Sequence, residues 1–378
     1  SCLRKPLHLD EFCTELYRKS KNPEVQKTLA FLKDSTTSAE DDKVGVDSPG
    51  NPDATIIKYC LQENLATVKE ALQDTLEAFQ QLLPAFEQAY LSWLEEQDLQ
   101  RKTLRRREPG GGRQARLHSI ADKLVFILFY FKIYPTQIVQ GFFFGISQSQ
   151  ANEWIHRLTP VLNTALGYEK QLPARKAADA EAVLAACPGL EFIIDGSERQ
   201  ISRPKDKEKQ KSFYSGKKRR HTVKNTFISD KHTNKIKALG KTVPGKQHDK
   251  KLAEEEGWQF PSGSHVWKDS GYQGYEPDNT TTHQPKKKPR GGELTTEEKE
   301  QNKAISKERI GVEHSIGGAK VYRIVRDIFR NRKADFEDRI IEVACGLHNL
   351  RIDFPVSIWA LFCFTLFILP ISLISYQI

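Results

Sequence analysis

At 378 residues the chain is long enough for two or three domains with real cores. Its 58 Lys and Arg outnumber its 49 Asp and Glu, and the resulting net charge of +9 and pI near 9.1 point to an acidic partner, nucleic acid before membrane. Six scattered cysteines without a C-x2-C pair argue against a thiolate zinc module and against a disulfide framework, and fit a reducing compartment.

Residues 1–54 are polar and read as weakly ordered, with Leu9, Phe12, Leu16 and Tyr17 able to form one short amphipathic helix. No basic stretch followed by an apolar one opens the chain, so export is not signalled. Methionine is absent even at position 1, which reads as a missing initiator. Over 55–104, Leu61, Leu65, Val68, Leu72, Leu76, Phe79, Leu83, Phe86, Tyr90 and Leu94 recur every three or four positions. That spacing predicts amphipathic helix, kinked or divided at Pro84. Residues 105–118 form a Gly-rich linker whose Arg105, Arg106 and Arg107 are placed to meet phosphates.

Residues 119–170 predict three helices. Ser119 caps the first, Pro135 or Thr136 opens the second, and Gly145 turns the chain into a third that Ser149 caps and that runs from Gln150 to Leu158. Two short helices, a tight turn and a polar-headed third helix make a helix-turn-helix pattern. Gln148, Ser149, Gln150 and Asn152 at its head are residue types that reach base edges.

From 188 to 352 the pattern changes to strands mixed with helices. Leu190-Glu-Phe-Ile-Ile-Asp195 predicts a buried strand with Asp195 at its tip, and His265-Val-Trp-Lys-Asp269 predicts a second strand ending in an acid. Between them lies a stretch dense in Lys and Arg that includes Lys217 and Lys218, then two alternating runs that predict paired strands. Asp249, ahead of a Lys-Lys-Leu-Ala-Glu run, reads as a helix cap. A polar insert from Glu276 to Thr296 follows. Arg309, Glu313 and Lys320 then sit four and seven residues apart, close to one helix face. Two strand-tip aspartates facing a helix-borne glutamate can hold two magnesium or manganese ions. Ions about 4 Å apart would clamp the attacking and leaving oxygens of an in-line phosphoryl displacement.

Asp195-Gly, Trp-Lys-Asp269-Ser-Gly-Tyr-Gln-Gly and Arg309-x3-Glu313-x6-Lys320 together resemble the DDE transposases of bacterial insertion sequences. The resemblance is nearest to the IS-five-type group with its Y-x2-R-x3-E-x6-K signature, related to Harbinger-type nucleases, and it spans about Arg105 to Ile352. Pro244-Gly-Lys-Gln-His-Asp249, Tyr214-Ser-Gly-Lys-Lys and Asn302-x3-Ser306-Lys-Glu-Arg309 look like further blocks of that group, with Ser306 where the signature has Tyr. The resemblance implies an α/β fold, an RNase H-like mixed sheet flanked by helices and preceded by the helix-turn-helix region. It also implies divalent-metal catalysis by Asp195, Asp269 and Glu313, phosphate contacts from Arg309 and Lys320, and DNA as partner, with a homo-oligomer to bring two element ends together. Such an enzyme would work in the cytoplasm on the nucleoid. A retired, sequence-specific DNA-binding relative is the alternative, against which all three acids are kept. The apolar stretch within 353–378 is long enough to span a bilayer, but lies outside the resemblance and reads as foreign to the fold rather than as an anchor.

Overall fold

The computed structural model describes residues 78–100, 116–288 and 291–354. The expectations for residues 1–54, for the linker with Arg105, Arg106 and Arg107, and for the apolar tail concern residues outside these.

Helix α1 (78–99) buries Leu82, Ala85, Phe86, Ala89 and Tyr90 at the predicted three- and four-residue spacing. It runs through Pro84 undivided, so the expected division does not occur. The buried stripe on both sides of the proline holds the helix together where one backbone hydrogen bond is lost. Helix α2 (Ile120–Ile133) starts, as predicted, on Ser119, whose hydroxyl accepts from the Asp122 amide while the Asp122 carboxylate accepts from the Ser119 amide. Helix α3 (Gln137–Phe143) starts on Thr136. Helix α4 (Gln148–Tyr168) is longer than predicted and is capped by Ser147, not Ser149. The capping box explains the shift: Ser147 Oγ accepts from the Gln150 amide at 3.2 Å and Gln150 Oε1 accepts from the Ser147 amide at 3.0 Å. Between α3 and α4 the chain turns at Gly145 (φ +63°), and a Cβ on Gly141 would lie 2.6 Å from the Ile146 carbonyl oxygen, so glycine is what lets the two helices close up. Helix α1 rests on this unit through cation–π contacts. Lys123 lies over the Tyr90 ring and Arg157 over both Trp93 and Trp154.

After helix α5 (Ala177–Ala185) the sheet begins. Its strands are β1 (Glu191–Gln200), β2 (Tyr214–Ser215, after helix α6, Lys207–Phe213), β3 (Arg220–Asp230), β4 (Ile236–Leu239), β5 (Val243–Pro244), β6 (Ser264–Lys268) and β7 (Thr280–His283). β1 pairs antiparallel with β3 and parallel with β6. β4 and β5 pair with the far side of β3, and β7 runs parallel to β6. The resulting order β4-β3-β1-β6-β7, antiparallel then parallel, is the RNase H-like mixed sheet expected. β7 falls inside the segment read as an insert, because Thr280-Thr-Thr-His283 carries no apolar alternation.

One face of the sheet packs Phe192, Ile194, Ile228 and Val266 against Leu184 of α5, Ala253 of helix α7 (Asp249–Glu256), and Trp258, Phe260 and Tyr272. The other face receives helix α9 (Ile310–Lys320), which follows α8 (Thr296–Glu308), and helix α11 (Phe336–Asp353), which follows the short α10 (Arg323–Arg326). The Asn349 side chain bonds both the amide and the carbonyl of Ile236, fixing α11 to β4. A clasp joins the helical unit to the sheet. Arg330 lies over the Tyr134 ring at 4.1 Å and donates its amide to Tyr134 Oη at 2.7 Å. The neighbouring Phe329 stacks on Tyr134 and exchanges backbone hydrogen bonds with Gln200 and Ser202 beyond the end of β1. Among the described residues no helix is long and apolar enough to cross a membrane.

Candidate active site

The parallel ladder between β1 and β6 matches Glu191 to His265 and ends at Ile194 opposite Lys268. Asp195 and Asp269 are therefore the next residues on two adjacent strands. Asp195 is not at a strand tip, because β1 continues to Gln200 along β3, with Asp195 opposite Phe227. It stands where one neighbour stops and the other goes on. Its Oδ1 accepts from the Gly196 amide at 2.8 Å. Asp269 does leave the strand: its Oδ1 accepts from the Gly271 amide at 2.6 Å and caps a 3-10 turn, Ser270–Tyr272.

Burial pushes the Asp195 carboxyl up to about 6, and the negative charge of Asp269 pushes the same way, while Arg309 draws it down. A third carboxylate adds to this. Asp249 is not the helix cap it was expected to be; His248 holds that position and caps nothing with its side chain. As the first residue of α7, Asp249 turns its carboxylate toward Lys224, 2.9 Å away, and toward the two glycines beside the other acids. A Cβ on Gly196 would meet Asp249 Oδ1 at 2.5 Å, and one on Gly271 would meet Asp269 Oδ1 at 2.8 Å and Asp249 Oδ2 at 3.0 Å. Beside the acids lies Tyr272, fully buried, its hydroxyl without a hydrogen-bond partner among the described residues. Its pKa is held well above the usual phenol range by burial and then by the charges of Asp195, Asp249 and Asp269.

The helix side is looser. Arg309 joins α8 to α9 and keeps αR geometry, so the chain of Arg309, Glu313 and Lys320 stays nearly one helical run. Glu313 lies in the first turn of α9 with its side chain exposed. Lys320 closes the helix; burial lowers its pKa, Lys218 lowers it further and Asp195 raises it. Lys217 and Lys218 are exposed in the β2–β3 turn, and Lys218 thus shares a field with Asp195. Glu308 is turned away into a 2.7 Å ion pair with Lys231, and Ser306 is exposed.

Among the described residues, no three His, Cys, Asp or Glu side chains converge tightly enough to hold a metal ion as they stand. The donor chemistry nevertheless fits a hard divalent cation. Crowded carboxylates, glycines that leave room for oxygens alone, and an orphaned hydroxyl are what such an ion would satisfy.

Residues 194–349 match the family model of the DDE superfamily endonuclease, and residues 115–167 match that of the helix-turn-helix of DDE superfamily endonuclease. The chain is also 31% identical over 243 residues to a "probable transposase for insertion sequence element IS702" of Microchaete diplosiphon, covering 64% of this chain and 83% of the relative. The chain belongs to the DDE-superfamily transposases of insertion sequences. No solved structure matches it.

In this transposase the helix-turn-helix match covers α2, α3 and most of α4. Of its four expected base readers, Gln148 and Ser149 are exposed and make no side-chain hydrogen bond. Gln150 spends its carbonyl oxygen on the capping box, and Asn152 accepts from Gln137 at 2.8 Å, tying α4 to α3. Sequence reasoning missed Lys224 and Tyr272 and misassigned Asp249. A lysine inside an otherwise buried strand, Val223 to Asp230, was the signal for the first.

Proposed function

We propose that this transposase cuts the ends of its insertion sequence and joins them to target DNA in a divalent-metal-dependent reaction, using Asp195, Asp269 and Glu313. The observation that supports this most directly is the place of Asp195 and Asp269 just past the end of one parallel ladder, where the charge of Asp269 adds to burial in raising the Asp195 carboxyl. Bound divalent ions, magnesium or manganese and two per site, would supply the Lewis acidity that in-line displacement at a phosphodiester needs. Asp195 and Asp269 hold them from the sheet, and Glu313 closes the set from α9. Arg309 and Lys320 hold the scissile strand's phosphates and offset the repulsion between carboxylates and DNA. Lys217 and Lys218 extend that basic track, and Arg105, Arg106 and Arg107 add phosphate contacts. Gln148, Ser149, Gln150 and Asn152 at the head of α4 read the element end. The same site then serves both hydrolysis at the element end and attack of the freed 3′-hydroxyl on target DNA, with no covalent enzyme intermediate. A homo-oligomer follows from the need to hold two ends at once.

The test is a cleavage and strand-transfer assay on element-end DNA with magnesium, run beside DNA binding. Asp195→Asn, Asp269→Asn and Glu313→Gln should each abolish cleavage and retain binding. If Glu313→Gln still cuts while Glu308→Gln does not, the glutamate has been misassigned.

A further inference from the structure

The DDE reading assigns three acids, but the structure gathers a different third one beside Asp195 and Asp269. Asp249 reaches the pair from the first turn of α7, and its two carboxylate oxygens fill the space above Gly196 and Gly271. Neither glycine is needed there for backbone conformation, since neither has a left-handed φ. Both are needed for room: any Cβ would strike a carboxylate oxygen. The counter-charge is Lys224, almost wholly buried, whose ammonium also donates to the Gln247 carbonyl at 2.9 Å and stands 3.9 Å from Glu198. One lysine thus faces several carboxylates. The independent sign of a missing ligand is Tyr272: a fully buried hydroxyl with no partner among the described residues, set under the same three acids.

We infer that Asp249 is a working carboxylate of the active site, standing with Asp195 and Asp269 around the cation, and that Lys224 holds its place when no cation is bound. This inference rests on the metal-dependent reading above. It makes α7, through its first residue, part of the catalytic centre. It also gives the paired glycines a chemical reason, as the floor of an oxygen cage.

Manganese binding to the purified full chain, followed by the electron paramagnetic resonance signal of free Mn2+, separates the inference from the reading it rests on. Asp195→Asn should lose most of the affinity. Asp249→Asn should lose about tenfold, in the range seen when partners of metal sites are removed. Glu254→Gln, on the same helix and paired with Lys250, should titrate like the unaltered protein. Lys224→Met should bind manganese as well or better. If Asp195→Asn loses affinity while Asp249→Asn does not, the inference fails and the metal reading stands; if Asp195→Asn also binds normally, the metal reading fails. Should Asp249→Asn not fold, ferrous iron and ascorbate applied to the unaltered chain give the answer. Backbone cuts are expected beside 195, 249 and 269, and cuts at 195 and 269 without 249 would overturn the role of Asp249.

Discussion

Asp195 and Asp269 are carried on backbone that cannot shift without breaking a ladder, whereas Glu313 is carried on the exposed first turn of a helix. The sheet side of the site is preformed and uncomfortable: the charges of Asp269 and Asp249 add to burial in raising the Asp195 carboxyl, and Arg309 offsets this only in part. The helix side is relaxed and solvated, and its acid sits in α9 with a basic residue at either end. Electrostatic strain is thus concentrated where the fold is stiffest. With the metal-dependent reaction proposed above, such a site would complete itself from the softer side.

The largest break in this comparison is chemical. Neutralising Asp195 or Asp269 should lower cleavage at least about a thousandfold, on the order of 4 kcal/mol of barrier. The same Asp195→Asn change should raise the thermal midpoint of the metal-free protein at neutral pH, because it removes a buried charge that Asp269 repels. Glu313→Gln should stop cleavage with no such gain in melting temperature, since its side chain is already in water.

Acid should unlock the helix side next. His348 of α11 is buried, with its ring against Gly318 of α9 and its Nε2 3.1 Å from the Asn234 carbonyl. Burial lowers its pKa to about 4, so the folded protein binds this proton less readily than the unfolded chain. Stability from this group is present above about pH 6.5 and is lost as pH falls through 4, up to about 3 kcal/mol. Urea unfolding across that window should show the loss, and His348→Gln should flatten it.

Two smaller effects concern recognition. Gly141→Ala drives a methyl against the Ile146 carbonyl and should cost about 2 kcal/mol of stability, with a matching loss of specific DNA binding. Gln148→Ala should weaken binding to the element end by about tenfold and leave random DNA unaffected. Gln150→Ala should do the same and also lower the melting temperature, because its side chain caps α4. Equal losses on specific and random DNA would show that α4 is not the reading helix.

What could be read in the chain follows the same division. Strands buried on both faces announce themselves as apolar runs, so β1 and β6 and the acids that follow their apolar runs were legible, as were the caps at Ser119 and Thr136 and the helical stripe of α1. The register that makes Asp195 and Asp269 neighbours was not, because pairing is a property of two distant segments. β7 was hidden by its threonines and the cap of α4 by a choice between two serines that only the reciprocal bond with Gln150 decides. Asp249 was hidden most thoroughly. An aspartate before a helix has a common local use, and only the fold shows that this one is spent elsewhere.

The clasp of Tyr134, Phe329 and Arg330 carries one more consequence. It ties the turn between α2 and α3 to the end of the strand that bears Asp195, through stacked rings and backbone hydrogen bonds. The helix proposed to read the bases and the acid proposed to act at the phosphate are then two marks on one gauge. An element end measured by such a gauge tolerates a changed base better than an added one. A single base pair inserted between the recognised sequence and the cut should silence cleavage while binding persists, and cutting that simply moved by one nucleotide would show that the gauge bends.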